Sequence, residues 1–157
     1  SIMVYDTKSL GDLLSQDGPK HYLTAATGLS ISRPSDNMPA LWYSSTLSNP
    51  KSWIIAGRDP ASTNELLGAT GLWDANETIA RYGVRLPVVW AADYERSLFD
   101  LLINFCEFKS KPVPNIQVSD IGDVVDIERV NELIGLCHPL ISPQGLGRIE
   151  VWLSSSY

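Results

Sequence analysis

The sequence predicts one α/β or α+β domain over residues 1–157, with helices packed on a mixed β-sheet. Three observations lead to this fold class. An apolar run precedes a long helical segment, two aromatic-rich runs flank a short polar linker, and strands alternate with helices in the second half of the chain. With 44% hydrophobic and 19% charged residues in 157, the chain can bury a core of its own and is not a disordered sequence.

Residues 85–109 form the predicted centre of the fold. The segment VVWAA (88–92) is apolar without alternation, which indicates a strand that is covered on both faces. Asp93 then stands where a helix N-cap belongs, and a long helix is predicted over 94–109. Its polar side chains fall on one narrow stripe, so we expect the helix to be buried on most sides. The stripe consists of Arg96, Asp100, Asn104 and Glu107.

A β-hairpin is predicted near residues 40–57. The runs ALWYSST (40–46) and SWIIAG (52–57) are rich in aromatic and β-branched residues, and a short polar linker separates them. Two such runs favour antiparallel pairing, which would make the sheet mixed.

The second half of the chain predicts further strands and a helix. NIQVS (115–119) has the composition of a strand, and the apolar residues of 127–137 recur at helical spacing. In 147–154 apolar residues alternate with polar ones, which predicts a final strand with one solvent-exposed face.

The charge of the chain limits its partners. A net charge of -6 and a pI near 4.8 disfavour nucleic acid and anionic membranes, and favour a basic protein partner. Residues 62–82 have the length of a helix-turn-helix with 71–73 as the turn, but the second helix carries Asp74 and Glu77, which phosphates would repel. No apolar run is long enough for a membrane span, so no membrane partner is predicted.

The two cysteines, Cys106 and Cys137, each lie on the apolar face of a predicted helix. Buried free thiols and a reducing, cytoplasmic setting are therefore predicted, and a disulfide between them is the alternative if the two helices touch. Ser1 and Ile2 precede Met3, which suggests that these two residues were added for expression.

Aspartates that follow predicted strands suggest a metal site. Asp6, Asp59, Asp93 and Asp120 each stand at such a position. If the strands were parallel neighbours, Asp6, Asp93 and Asp120 could converge at one sheet edge and bind Mg²⁺, as in enzymes of phosphoryl transfer or phosphoester hydrolysis. Helix capping is the competing interpretation, because aspartate is a preferred N-cap residue. The acidic run over 120–128 lacks the spacing of a calcium loop.

Two tryptophans are candidate partner-binding residues. Trp73 lies in the predicted turn, and Trp152 lies on the exposed face of the strand predicted over 147–154. Exposed tryptophans are common anchors of protein interfaces, although a tryptophan half-buried under a loop is the alternative.

No complete catalytic motif is present in the sequence. His21 and His138 are not at metal-ligand spacing, and no nucleophile elbow occurs. The sequence therefore predicts a small acidic cytoplasmic protein without a cofactor that acts by protein–protein interaction, as an inhibitor, immunity protein or antitoxin-like module. The alternative is the Mg²⁺-dependent enzyme described above.

Overall fold

The structure is a computed structural model that describes Leu14 and residues 19–31, 49–58, 61–114 and 116–154. One mixed β-sheet and a set of helices make up this part of the chain, which confirms the predicted α/β or α+β class. The strands are β1 (Tyr22–Leu23), β2 (Ile55–Ala56), β3 (Leu72–Asp74) and β4 (Trp90–Ala92). The helices are α1 (Ala25–Gly28), α2 (Asn64–Leu67), α3 (Asn76–Ala80), α4 (Tyr94–Leu102), α5 (Val118–Ile121), α6 (Ile127–Cys137) and α7 (Pro143–Ser154).

The four strands of the sheet lie in the order β2-β1-β4-β3. β1 and β4 are parallel, with Leu23 opposite Ala91, whereas β2 and β3 are each antiparallel to their neighbour. β4 is therefore an interior strand, and it lies within the segment predicted as the central strand. Ala91 and Ala92 are fully buried in it.

The predicted hairpin is only partly within the described residues. Its first arm, 40–46, lies outside them. Its second arm contains β2, which pairs with β1. The mixed sheet is thus confirmed, and pairing between 40–46 and 52–57 stays a prediction.

The helix predicted over 94–109 is confirmed. Asp93 caps α4 through its carboxylate, which accepts the backbone N–H of Arg96 at 2.8 Å. After Leu102 the helix continues as a π-helical turn over Ile103–Phe108. The wider turn is seen in the hydrogen bond from the backbone N–H of Lys109 to the carbonyl of Asn104, which spans five residues.

Two of the strands predicted in the second half are wrong. Residues 116–119 contain no strand, because α5 begins at Val118, and residues 147–154 belong to helix α7. The buried side chains of α7 include Ile149 and Trp152, which are at helical spacing, while Val151 is 70% exposed. Alternating apolar residues resembled a strand, but packing of one helical face against the π-helical turn decided the conformation. The predicted turn at 71–73 also differs, because Leu72 and Trp73 are part of β3.

Helix α6 matches the helix predicted over 127–137 and belongs to the largest of three apolar cores in the described residues. This core joins α4, α6 and α7, and it contains the thiols of Cys106 and Cys137. The smaller core, on the strand side, surrounds Trp53 and Ile55, and a third, minor cluster joins Tyr22, Ala56 and Ala92. None of the helices in the described residues is both long enough and apolar enough to cross a membrane.

Candidate functional site

The most extensive polar cluster in the described residues is buried around helix α4. Arg96 is 0% exposed and Asp100 is 5% exposed, and their side chains pair one helical turn apart, with Nε and Oδ1 separated by 3.1 Å. These two residues begin the predicted polar stripe, so this part of the stripe lies in the interior rather than in solvent.

The carboxylate of Asp100 accepts hydrogen bonds from three hydroxyl groups. Tyr22 Oη and Thr24 Oγ1 each donate to Oδ2 at 2.7 Å, and Thr63 Oγ1 donates to Oδ1. Tyr22 belongs to β1, Thr24 directly follows it, and Thr63 directly precedes α2. A single carboxylate thus connects three separate parts of the chain.

The guanidinium of Arg96 is saturated with acceptors. Nη1 donates to the carbonyls of Gly68 and Thr70 at 3.0 and 2.6 Å. Nη2 donates to Asn64 Oδ1 at 2.9 Å and to Tyr22 Oη at 3.0 Å. Because Nε already faces Asp100, every N–H of the guanidinium has a partner.

The electrostatics of this cluster keep Tyr22 neutral. Burial, followed by the nearby charge of Asp100, raises the pKa of Tyr22 to about 12. Every guanidinium N–H has a partner and the charged side chains are buried, so the cluster has no unpaired donor. It stabilises the junction of β1, α2 and α4.

The described residues do not bring the predicted metal ligands together into a site. Asp93 caps α4, and Asp120 is an exposed residue of α5 whose Oδ2 accepts the backbone N–H of Gln117 at 2.8 Å. The described residues 116–119, before Asp120, form no strand, and Asp6 and Asp59 lie outside the described residues. Within the part of the chain that is described, no three His, Cys, Asp or Glu side chains are grouped to hold a metal. Mg²⁺ binding that includes Asp6 stays a prediction.

The two candidate tryptophans lie in different environments. Trp152 is only 5% exposed, and its indole N–H donates to the carbonyl of Ile116 at 2.7 Å, so the expected exposed sheet position is wrong. Trp73 is partly buried on β3 and packs against the smaller core. Its indole N–H has no acceptor among the described residues, and its partner-binding role stays a prediction.

The two cysteines are buried free thiols, as predicted. Burial raises the pKa of Cys106 to about 11, against a smaller opposing effect of Arg148, and burial also raises the pKa of Cys137. Both thiols therefore stay protonated at neutral pH, which removes the thiolate that a nucleophile needs.

An exposed acidic surface extends from α5 to α6. We call it the acidic face, and it consists of Asp123, Asp126, Glu128 and Glu132, which are all exposed. Three of them line a concavity of about 540 Å³ whose apolar lining is Val118, Val125 and Ile127. Asp126 caps α6, accepting the backbone N–H of Arg129 at 3.2 Å, and Glu128 and Glu132 lie on the helix that begins there. Asp123 precedes the cap in the turn after α5.

A second concavity, of about 380 Å³, lies between α5, α7 and the nearby residues Pro112, Val113, Ile116 and Gln117. We call it the α5–α7 pocket. Asp120 and Arg148 line it together with apolar side chains. This pocket could not be predicted from the sequence, because it depends on the helical conformation of residues 143–154, whereas the alternating pattern of 147–154 predicted a strand.

Searches of protein-family models, of curated proteins and of solved structures found no match to this chain. The acidic face had a signal in the sequence, namely the acidic run over 120–128.

Proposed function

We propose that this protein acts by binding a basic protein partner through its acidic face, as an inhibitor, immunity protein or antitoxin-like module does. The observation that carries the proposal is a set of exposed carboxylates around a concavity with an apolar lining. Such a combination offers charge complementarity at the rim and apolar contact in the centre, which is the usual anatomy of a protein interface.

The acidic residues are concentrated in this part of the chain. Residues 118–132 contain five of the 18 Asp and Glu residues but only one of the 12 Lys and Arg residues. That one basic residue, Arg129, is already paired with Glu132 at 3.0 Å. The local field is therefore strongly negative, and it would accelerate the approach of a basic partner.

Exposed leucines extend the surface beyond the carboxylates. Glu128, Glu132 and Leu136 follow each other at four-residue spacing on α6, so they lie along one side of the helix. Leu136 is 68% exposed, and Leu140, in the turn after α6, is 65% exposed. A partner with basic residues followed by an apolar segment would match this order.

The buried free thiols support a reducing, cytoplasmic setting for this interaction. In addition, the saturated cluster around Arg96 gives the binding surface a rigid support, because it fixes α4, against which α6 packs.

The experiment that tests the proposal is capture of partners from a lysate of the source cells, followed by reconstitution of the binary complex from purified proteins. Calorimetry then gives its dissociation constant at low and high salt. We expect Asp123→Lys/Glu128→Lys to weaken binding by at least about tenfold and to reduce its salt dependence. The matched control is Glu65→Lys/Glu77→Lys, which changes the net charge equally at exposed positions near α2 and α3.

Equal loss of affinity in both variants would mean that net charge matters and the acidic face does not. If the dissociation constant of the reconstituted complex were unchanged by all four substitutions, the proposal would be contradicted.

A further inference from the structure

The α5–α7 pocket combines an apolar wall with two opposite charges. Val113 and Trp152 are buried, Ile116 is partly buried, and Val151 is 70% exposed. A volume of about 380 Å³ falls within the range of small-molecule sites. The exposed valine is the part of this wall that a ligand would cover most.

The two charged residues of the pocket do not neutralise each other. Arg148 and Asp120 both line it and both belong to the described residues, yet no ion pair joins them. Opposite charges that share one concavity without pairing leave space for a group that contacts both.

In each of the two side chains, one polar atom forms a hydrogen bond within the protein and a second polar atom does not. Arg148 Nη1 donates to the carbonyl of Cys106 at 3.1 Å, and Asp120 Oδ2 accepts the backbone N–H of Gln117 at 2.8 Å. The described residues supply no partner for Arg148 Nη2 or for Asp120 Oδ1. The anchored atoms fix the positions of the charges, and the remaining atoms are available to a ligand.

We propose that the α5–α7 pocket binds a small zwitterion with an apolar side chain, that is, an apolar α-amino acid. Its carboxylate pairs with Arg148, its ammonium group pairs with Asp120, and its side chain covers Val151 and the edge of Trp152. A simple anion could pair only with Arg148 and a simple cation only with Asp120, whereas a zwitterion can pair with both. This inference uses residues outside the acidic face and is independent of the proposed function.

The test uses L-leucine as the probe and the indole N–H resonance of Trp152 as the reporter. We assign that resonance with Trp152→Phe and follow it in ¹H–¹⁵N spectra up to millimolar ligand. We expect a saturable shift with L-leucine, and at least about tenfold weaker binding of N-acetyl-L-leucine and of L-leucinamide, which each lack one charge.

Two variants locate the binding site. Arg148→Gln and Asp120→Asn keep the anchoring hydrogen bonds possible but remove the charges, so each should weaken L-leucine binding by at least about tenfold. Arg81→Gln and Glu77→Gln are the matched controls, at exposed positions outside both the pocket and the acidic face, and should bind like the wild type. Thermal melting verifies that all four variants are folded.

No shift with millimolar L-leucine would overturn the proposal. So would equal binding of the singly charged analogues, or equal effects of the pocket and control variants. A weakened reconstituted complex after Asp123→Lys/Glu128→Lys would not affect this result, so the two proposals can fail separately.

Discussion

The described part of the protein contains two arginine–carboxylate ion pairs within helices, one buried and one exposed to solvent. Arg96 and Asp100 on α4 are 3.1 Å apart with side chains 0% and 6% exposed. Arg129 and Glu132 on α6 are 3.0 Å apart with side chains 42% and 66% exposed. The distances are nearly equal, so the difference between the pairs comes from their surroundings.

Burial makes the inner pair dependent on its neighbours. Taking both charges out of water has a large desolvation cost, and mutual attraction alone does not offset it. Here hydroxyls from Tyr22, Thr24 and Thr63 satisfy the carboxylate. The side chains of the outer pair remain hydrated, so they need no additional hydrogen-bond partners from the protein. The inner pair therefore specifies how segments distant in sequence come together, and the outer pair only adjusts surface charge.

The largest effect is expected from breaking the inner pair. Asp100→Asn leaves the guanidinium of Arg96 buried without a counter-charge and turns an amide N–H₂ toward hydroxyl donors. We expect the free energy of unfolding to fall by about 3–5 kcal/mol. Urea denaturation followed by far-UV circular dichroism measures it. As a control, Asp123→Asn removes the same charge at an exposed position and should change the free energy of unfolding by less than about 0.5 kcal/mol. A cost below about 1 kcal/mol for Asp100→Asn would show that the pair is not structural.

The second effect is a loss of stability at alkaline pH. The pKa of Tyr22 is raised from 10.0 to about 12 in the folded protein. Between these values the unfolded chain has lost the phenol proton while the folded chain retains it, so stability decreases as the pH rises. Tyr22 contributes about 1–3 kcal/mol to this decrease.

Unfolding curves at pH 9, 10, 11 and about 12, for the wild type and for Tyr22→Phe, measure the alkaline effect. Tyr22→Phe should be less stable at pH 9, and its stability should fall less steeply above pH 10. Cys106, with its raised pKa of about 11, acts in the same direction but is present in both proteins. Parallel pH profiles for the two proteins would contradict the prediction.

The sequence was sufficient for the central unit because its signals are local. An unbroken apolar run, the cap at Asp93 and the apolar circumference of 94–109 all lie within a few turns of each other. The burial of Arg96 and Asp100 could not be predicted in this way, since their partners lie at Tyr22, Thr24 and Thr63.

In helix α7, by contrast, the local sequence pattern predicted the wrong conformation. Its local pattern fitted a strand, and only contact with the π-helical turn after α4 distinguishes the two. Because a strand was predicted over 147–154, Trp152 was expected to be exposed and the α5–α7 pocket was not predicted. The carboxylates of the acidic face could be read from the local composition, whereas their arrangement around a concavity depends on the positions of α5 and α6 in the fold.

The smallest effect is expected from the outer pair. Arg129→Gln and Glu132→Gln should each change the free energy of unfolding by less than about 1 kcal/mol, because the two side chains remain hydrated. A double-mutant cycle with urea denaturation gives the coupling energy between the two side chains. It should be about 0.2–1 kcal/mol in low salt and close to zero in about 1 M NaCl. A coupling that persists in high salt would mean that the pair is shielded from water. In that case burial would not explain why the inner pair contributes more to stability than the outer pair.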